Sequence, residues 1–198
     1  MNSEMLPLFW RVTGADRNGL QAVSLLMPAR VAGEEPSEFP TDVFFRSARD
    51  PQKSVDLRWS DEDSDLFMNL LDRVVDAEDE DNVALDISDN VVQGIVQLVA
   101  VARFRTPWPA EEMAGEDFLT EREENEIGDL IAVNTCHGFV LAIVVGIDSI
   151  DATCILLEPV EDGDRVVLPD HSLIVINRAY LLPCSFADAD TGVSSTRH

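Results

Sequence analysis

A thiol beside an imidazole is the pairing that cysteine nucleophiles use, and the chain offers one in Cys136-His137. Both residues fall in a turn before an apolar strand, where neighbouring side chains diverge rather than share a proton. His171 follows Asp170 in another turn, and His198 is terminal. There is no GxSxG elbow, no phosphate-cradling GxxxxGK[ST] loop, no GxGxxG and no HExxH. With 38 Asp and Glu, a carboxylate pair for acid–base work can be drawn almost anywhere, so no pair is informative. The expectation is a protein without catalytic residues, not an enzyme.

Asp61-Glu62-Asp63-Ser64-Asp65 begins like a calcium-binding loop, but Leu66 stands where the loop needs Gly and Asp72 where it needs Glu. Cys136, Cys154 and Cys184 lack ligand spacing, and an odd number of cysteines reads as reduced, buried thiols. No metal site and no cofactor is expected.

The remaining chemistry is charge recognition. Ser60 to Asp81 joins the clearest helical pattern in the chain to its densest acid. Leu66, Phe67, Leu70, Leu71, Val74 and Val75 recur on one helical face. Ser60 is placed to cap the helix, and Asp63 to complete a capping box. Asp65, Asn69, Asp72 and Asp76 fall in the opposite stripe, extended by Asp61 and Glu62. Carboxylates at i, i+4 and i+7 lie roughly 6 and 10 Å apart along a helix, commensurate with phosphates along one nucleic-acid strand. The expected partner-binding residues are therefore Asp61, Glu62, Asp63, Asp65, Asp72 and Asp76, then Glu78, Asp79, Glu80 and Asp81. A second acidic run adds Glu121, Glu123, Glu124 and Glu126.

The bland alternative is a solvated helix face that needs no partner, the usual fate of a charge run. The distribution of charge weighs against it. Of the net −24, residues 61–90 carry −11 and residues 111–129 carry −8, whereas residues 1–60 net only −1. Such a chain repels nucleic acid and anionic membranes, and attracts cationic protein surfaces through fast, salt-sensitive association. Arg103 and Arg105 occupy an acid-free window and are placed to bridge the acidic segments within the chain. A high Asp and Glu content with a single lysine, Lys53, also fits a salt-adapted protein of unassigned function.

Elements that would position these residues follow from period and turn chemistry. Leu6–Thr13 and Leu20–Met27 read as strands about a turn at residues 14–19. Residues 31–40, with two prolines, read as a loop. Asp42–Ser47 and Ser54–Trp59 read as a hairpin whose second strand alternates apolar and polar residues, as a half-buried strand does. Val83–Ile87 reads as a short strand. Residues 91–105 suit a helix or a strand, with the helix favoured and Ser88 as its cap. Thr106-Pro107-Trp108-Pro109 should stop any regular element, and Trp108 between its prolines should be exposed. Asp129–Val133, Phe139–Ile147, Ala152–Val160, Arg165–Leu168 and Leu173–Leu182 read as five strands, with Asp162-Gly163 a strong hairpin signal.

The fold class expected is α+β: an N-terminal β region, a central acidic amphipathic helix or helix pair, and a C-terminal antiparallel meander, with a small curled barrel as the alternative form of the meander. Residues 1–128 form the first region, 129–184 the meander packed on it and 185–198 a flexible tail, the whole expected as one compact unit. The ten-residue apolar stretch Gly138–Ile147 is too short to span a bilayer as a helix, and the N-terminus lacks a signal-peptide pattern, so a cytoplasmic protein of the producing or host cell is expected. No stretch resembles a family strongly enough to name. The leading functional expectation is an acidic interaction protein that blocks a basic surface, most naturally that of a nucleic-acid-binding protein. Such proteins include a nucleic-acid-mimic inhibitor of a defence system carried by a phage or mobile element, and a nuclease immunity protein. The competing expectation is a structural or assembly subunit, for example of a virion, with the meander as its interface.

Overall fold

The structure is a computed structural model, describing residues 7–29, 35–46, 53–74, 87–110, 115 and 125–190. It is α+β, with few helices and mostly antiparallel sheets. The chain divides into two units, Met1–Phe104 and Arg105–His198.

In the first unit, β1 (Phe9–Val12), β2 (Gln21–Met27), β3 (Ser37–Phe45) and β4 (Val55–Arg58) form an antiparallel sheet in the order β3-β2-β1-β4. Trp10, Val12, Val23, Leu25 and Val43 occupy alternate positions along their strands and are buried, the period-2 placement of side chains on one covered face of a sheet. The opposite face is polar at its centre. There Arg11 donates from Nε and Nη2 to Asp56 (2.9 and 3.0 Å) and from Nη1 to Glu38 (3.2 Å). The Arg11 hydrogen bond and charge hold the Asp56 carboxyl below its ordinary range.

Three expectations fail here. β4 pairs with β1, Leu57 opposite Trp10 and Val55 opposite Val12, so it makes no hairpin with β3. Nor is it half-buried: all four of its residues are exposed, because it lies at the sheet edge. Residues 37–40 are strand rather than loop. Pro40 is tolerated because β3 is the other edge, where a missing N–H breaks no ladder bond. The next free amide there, Asp42 N–H, donates to Gln97 Oε1 (2.9 Å).

α1 (Asp61–Asp72) and α2 (Asn90–Phe104) complete this unit, so residues 90–104 resolve as helix. Asp89, rather than Ser88, opens α2: its Oδ1 accepts from Val91 N–H (2.7 Å) and its carbonyl from Gln93 N–H (3.0 Å). Val92, Ile95, Val96 and Val99 form its buried stripe. Residues 83–86 of the expected short strand lie outside the described residues.

The second unit contains β5 (Trp108–Pro109), β6 (Leu130–Thr135), β7 (Gly138–Ile147), β8 (Asp151–Leu156), β9 (Val160–Asp162), β10 (Arg165–Leu168), β11 (Leu173–Asn177), β12 (Leu181–Pro183) and α3 (Ser185–Asp190). Six strands form a sheet in the order β12-β6-β7-β8-β11-β5, in which only β5 runs parallel to its neighbour. The tetrapeptide at 106–109 thus supplies an edge strand, with Trp108 60% exposed. The sheet is open, so the barrel alternative is not realised. Its end strands are two and three residues long and carry Pro109 and Pro183, which cannot donate to a closing ladder.

Two expected strands are each broken in two. Residues 157–159 separate β8 from β9, which pairs with β10 as a distinct hairpin around Gly163 at φ 60°. A 3-10 turn at Arg178–Tyr180, capped by the Asn177 side chain accepting from Ala179 N–H (2.9 Å), lets the chain leave β11 and join β6 as β12. Val133, Ala142, Val144, Cys154, Leu156, Ile174 and Ile176 lie in one buried cluster. Ala132, Leu182 and Ala187 form another, with Phe139 and Phe186 packed against it at 5.7 Å between ring centroids. Residues 185–190, expected in a flexible tail, are helical because Phe186 and Ala187 have this cluster to bury in.

Burial pushes the Cys154 thiol up to about 12, whereas Cys136 and Cys184 are exposed. Since the thiolate is the nucleophile, a disulfide-exchange reagent at neutral pH should titrate two thiols in the native protein. The third should react only with added denaturant, and immediate reaction of all three would contradict the buried position of Cys154.

Candidate partner-binding surface

At 100° per residue, Asp61, Asp65 and Asp72 of α1 fall within about 40° of one another, and Glu62 and Asn69 border them. All five are exposed, while Phe67, Leu70 and Leu71 are buried on the other side. Met68, also exposed, lies beside the acidic stripe. No described residue forms an ion pair with Asp61, Asp65 or Asp72. The Glu62 carboxyl is held below its ordinary range, chiefly by backbone hydrogen bonding at the helix start, with help from the Ser60 side chain and the Arg103 charge.

Asp63 departs from the expected array. It is only 4% exposed and points inward. Its Oδ2 accepts from the Trp10 indole N–H (3.1 Å) and from Ser60 N–H (2.9 Å), while Ser60 Oγ accepts from Asp63 N–H (3.2 Å). The capping box read from the sequence is therefore present. Arg103 Nε, in the last turn of α2, lies 4.0 Å from Asp63 Oδ1. Asp63 is thus unavailable to a partner, since a buried charge with hydrogen bonds in hand is costly to uncover.

An aromatic cluster surrounds this carboxylate. Trp10 stacks on Trp59 at 4.8 Å between ring centroids and meets Phe104 edge-on at 5.6 Å. Trp59 contacts Phe67 edge-on at 6.2 Å and donates from Nε1 to Ser64 Oγ (2.9 Å). Nothing local in the sequence announces that Trp10 is the partner of Asp63, and the period-2 pattern of β1 signals only that Trp10 faces inward.

Of the remaining expected residues, Glu126 is exposed and belongs to the second unit, where its N–H donates to Asp129 Oδ2 (2.7 Å). Asp76, Glu78, Asp79, Glu80, Asp81, Glu121, Glu123 and Glu124 lie outside the described residues. Gly115 N–H donates to Asn134 O (3.0 Å). Among the described residues no group of three or more His, Cys, Asp or Glu could hold a metal ion. His137 Nδ1 lies 3.9 Å from Asp162 Oδ1, a contact between the β6–β7 turn and the end of β9. Among the described residues no helix is long and apolar enough to cross a membrane.

Compared with protein-family models and with curated proteins, the chain matches none.

The two kinds of acid on α1 should separate on mutation. Asp63→Ala removes a capping interaction, typically about 1 kcal/mol, and strands the buried Trp10 N–H, about 1–3 kcal/mol. Urea unfolding followed by tryptophan fluorescence should show a combined loss of roughly 2–4 kcal/mol. Asp65→Asn should change stability by less than about 0.5 kcal/mol. Asp72→Asn should be neutral or slightly stabilising, because Asp72 places an anion at the negative end of the helix. Equal losses for Asp63→Ala and Asp65→Asn would show that Asp63 is not the buried anchor.

Proposed function

We propose that the protein is a non-enzymatic interaction protein that binds and blocks a basic surface, most naturally the nucleic-acid-binding face of another protein. The observation that carries this reading is the row of Asp61, Asp65 and Asp72 on a helix fixed at its start by a capping box and a buried carboxylate. Along the helix these carboxylates step by roughly 6 and 10 Å. Partner cations that normally neutralise phosphates would meet anions at comparable spacing, and release of counterions would supply affinity that falls with salt. The regional charge, −11 over residues 61–90, steers the encounter. The reading covers an inhibitor of a nucleic-acid-directed defence system and an immunity protein for a nuclease, acting in the cytoplasm of the producing or host cell. It needs no cofactor and no metal.

A second reading, an assembly subunit that docks through the meander, draws on the exposed apolar side chains of the second unit: Trp108, Leu130, Ile150 and Val166. One experiment separates the two. The tagged protein is incubated with lysate of its native host or its prey, at low and high salt, and bound proteins are identified. The charge reading expects basic nucleic-acid-binding proteins at low salt, lost at high salt. It also expects at least a tenfold weaker interaction for the Asp61→Asn, Asp65→Asn, Asp72→Asn triple variant, with the fold unchanged by circular dichroism. Undiminished binding by the triple variant, together with loss on Trp108→Ala, would replace it with the assembly reading.

A further inference from the structure

We propose that the free edge of β4 pairs with β4 of a second copy of this chain, antiparallel about a two-fold axis at Leu57. This is independent of the acidic helix and of the function proposed for it. The first observation is that the other ends of the two larger sheets are guarded and this one is not. β3 carries Pro40 and gives its Asp42 amide to Gln97; β12 carries Pro183; β5 is two residues long and carries Pro109. Prolines, very short strands and covering elements are how proteins protect open edges. β4 has no proline and, among the described residues, no cover, and its core-facing residues Val55 and Leu57 are 50% and 38% exposed.

The second observation is parity. Trp59 N–H bonds to Leu8 O (3.0 Å), and Leu57 and Val55 stand opposite Trp10 and Val12. In an antiparallel ladder, alternate residues point their main-chain groups to alternate sides, so residues 55 and 57 face β1 while Asp56 and Arg58 present N–H and C=O outward. A symmetric antiparallel pairing through those groups can centre on Asp56, on Leu57 or on Arg58. Centring on Asp56 sets two aspartates opposite each other, and centring on Arg58 sets two arginines opposite, which is unfavourable across strands. Centring on Leu57 alone matches the charges. Each Asp56 then faces Arg58 of the second copy, with which it exchanges main-chain hydrogen bonds, and Leu57 meets its own symmetry mate.

The surrounding residues fit this register. Arg58 makes no ion pair with a described residue, so its guanidinium is available. Asp56 already has Arg11 on its inner side, and Arg58 of the second copy would extend an alternating row of charges. Pairing stops at Ser60, whose N–H is committed to Asp63. The contact is short, and each copy carries −24, so association is weak at low salt. It strengthens as salt shortens the screening length from about 10 Å at 0.1 M to about 3 Å at 1 M.

Cross-linking tests the register. In a background of Cys136→Ser and Cys184→Ser, Leu57→Cys places thiols in a non-hydrogen-bonded pair across the axis, where side chains come closest. Val55→Cys, at a site no more buried, faces Trp59 of the second copy instead. Under mild oxidation in molar salt, Leu57→Cys should form covalent dimer at least tenfold faster than Val55→Cys, and Arg58→Asp added to it should abolish that advantage. Sedimentation of the parent chain should show a dimer fraction that rises with salt and is absent in Arg58→Asp. Equal cross-linking rates, or a parent that stays monomeric at high concentration in molar salt, would overturn the proposal.

Discussion

A carboxylate can leave water only if protein donors replace the water around it, and Asp63 meets that condition with groups from two distant parts of the first unit. The Trp10 indole N–H comes from β1, the Ser60 N–H from the helix start, and Arg103 from the end of α2. Losing any one would leave a nearly buried charge underserved, so the sheet and both helices are tied to a common point. The register of α1 follows from it. With Asp63 inward, Phe67 and Leu70 must also face inward, and Asp61, Asp65 and Asp72 must face out. One buried anion thereby determines where the exposed ones are presented.

The aromatic rings make that burial workable. Trp10 is fully buried, yet its N–H needs a partner, which Asp63 supplies. Trp59 meets the same need with Ser64. Both indoles are therefore oriented by first-turn residues of α1 while their faces stack on each other. The helix start and the ring stack impose geometry on one another, which gives a short helix a defined position despite its charge. The second unit is ordered differently. There, strands from β6 to β11 bury small and branched residues such as Ala142, Val144, Cys154 and Ile174, with hydrogen bonding left largely to the ladder.

Local chemistry in the sequence foretold local structure well. Ser60 and Asp63 marked the start of α1, Asp-Gly at 162–163 marked a hairpin, and apolar runs between turns marked β1, β2, β6 and β7, whereas the alternation of Ser54–Trp59 marked a strand that is exposed throughout. Pairings between distant strands were not legible. Asp42–Ser47 and Ser54–Trp59 follow one another closely enough to suggest a hairpin, but β4 pairs with β1, setting Leu57 opposite Trp10, 47 positions away. Breaks inside long apolar runs were missed for a related reason. Leu173–Leu182 is apolar at both ends and interrupted at Asn177-Arg178, where the side-chain cap of Asn177 turns the chain. At the surface, acids could be placed on a helix face from spacing alone. The same spacing puts Asp63 on the face of Phe67 and Leu70, but its partner is an indole 53 residues distant, which no window of the sequence contains.

The acids of α1 differ in what stability asks of them, and the difference bears on why they are there. Asp61, Glu62 and Asp63 occupy the first turn, where backbone N–H groups and the helix dipole favour anions. Their presence needs no partner to explain it. Asp65 has passed beyond that region, and Asp72 ends the helix, where the exposed carbonyls repel it and no basic residue stands in the last turn. Folding gains nothing from either. Solubility alone would be served by acids placed anywhere on the exposed arc, including the position of Met68, which is instead an exposed apolar side chain. The proposed recognition role therefore draws its support from the carboxylates that the helix does not use, Asp65 and Asp72, rather than from the larger group at its start.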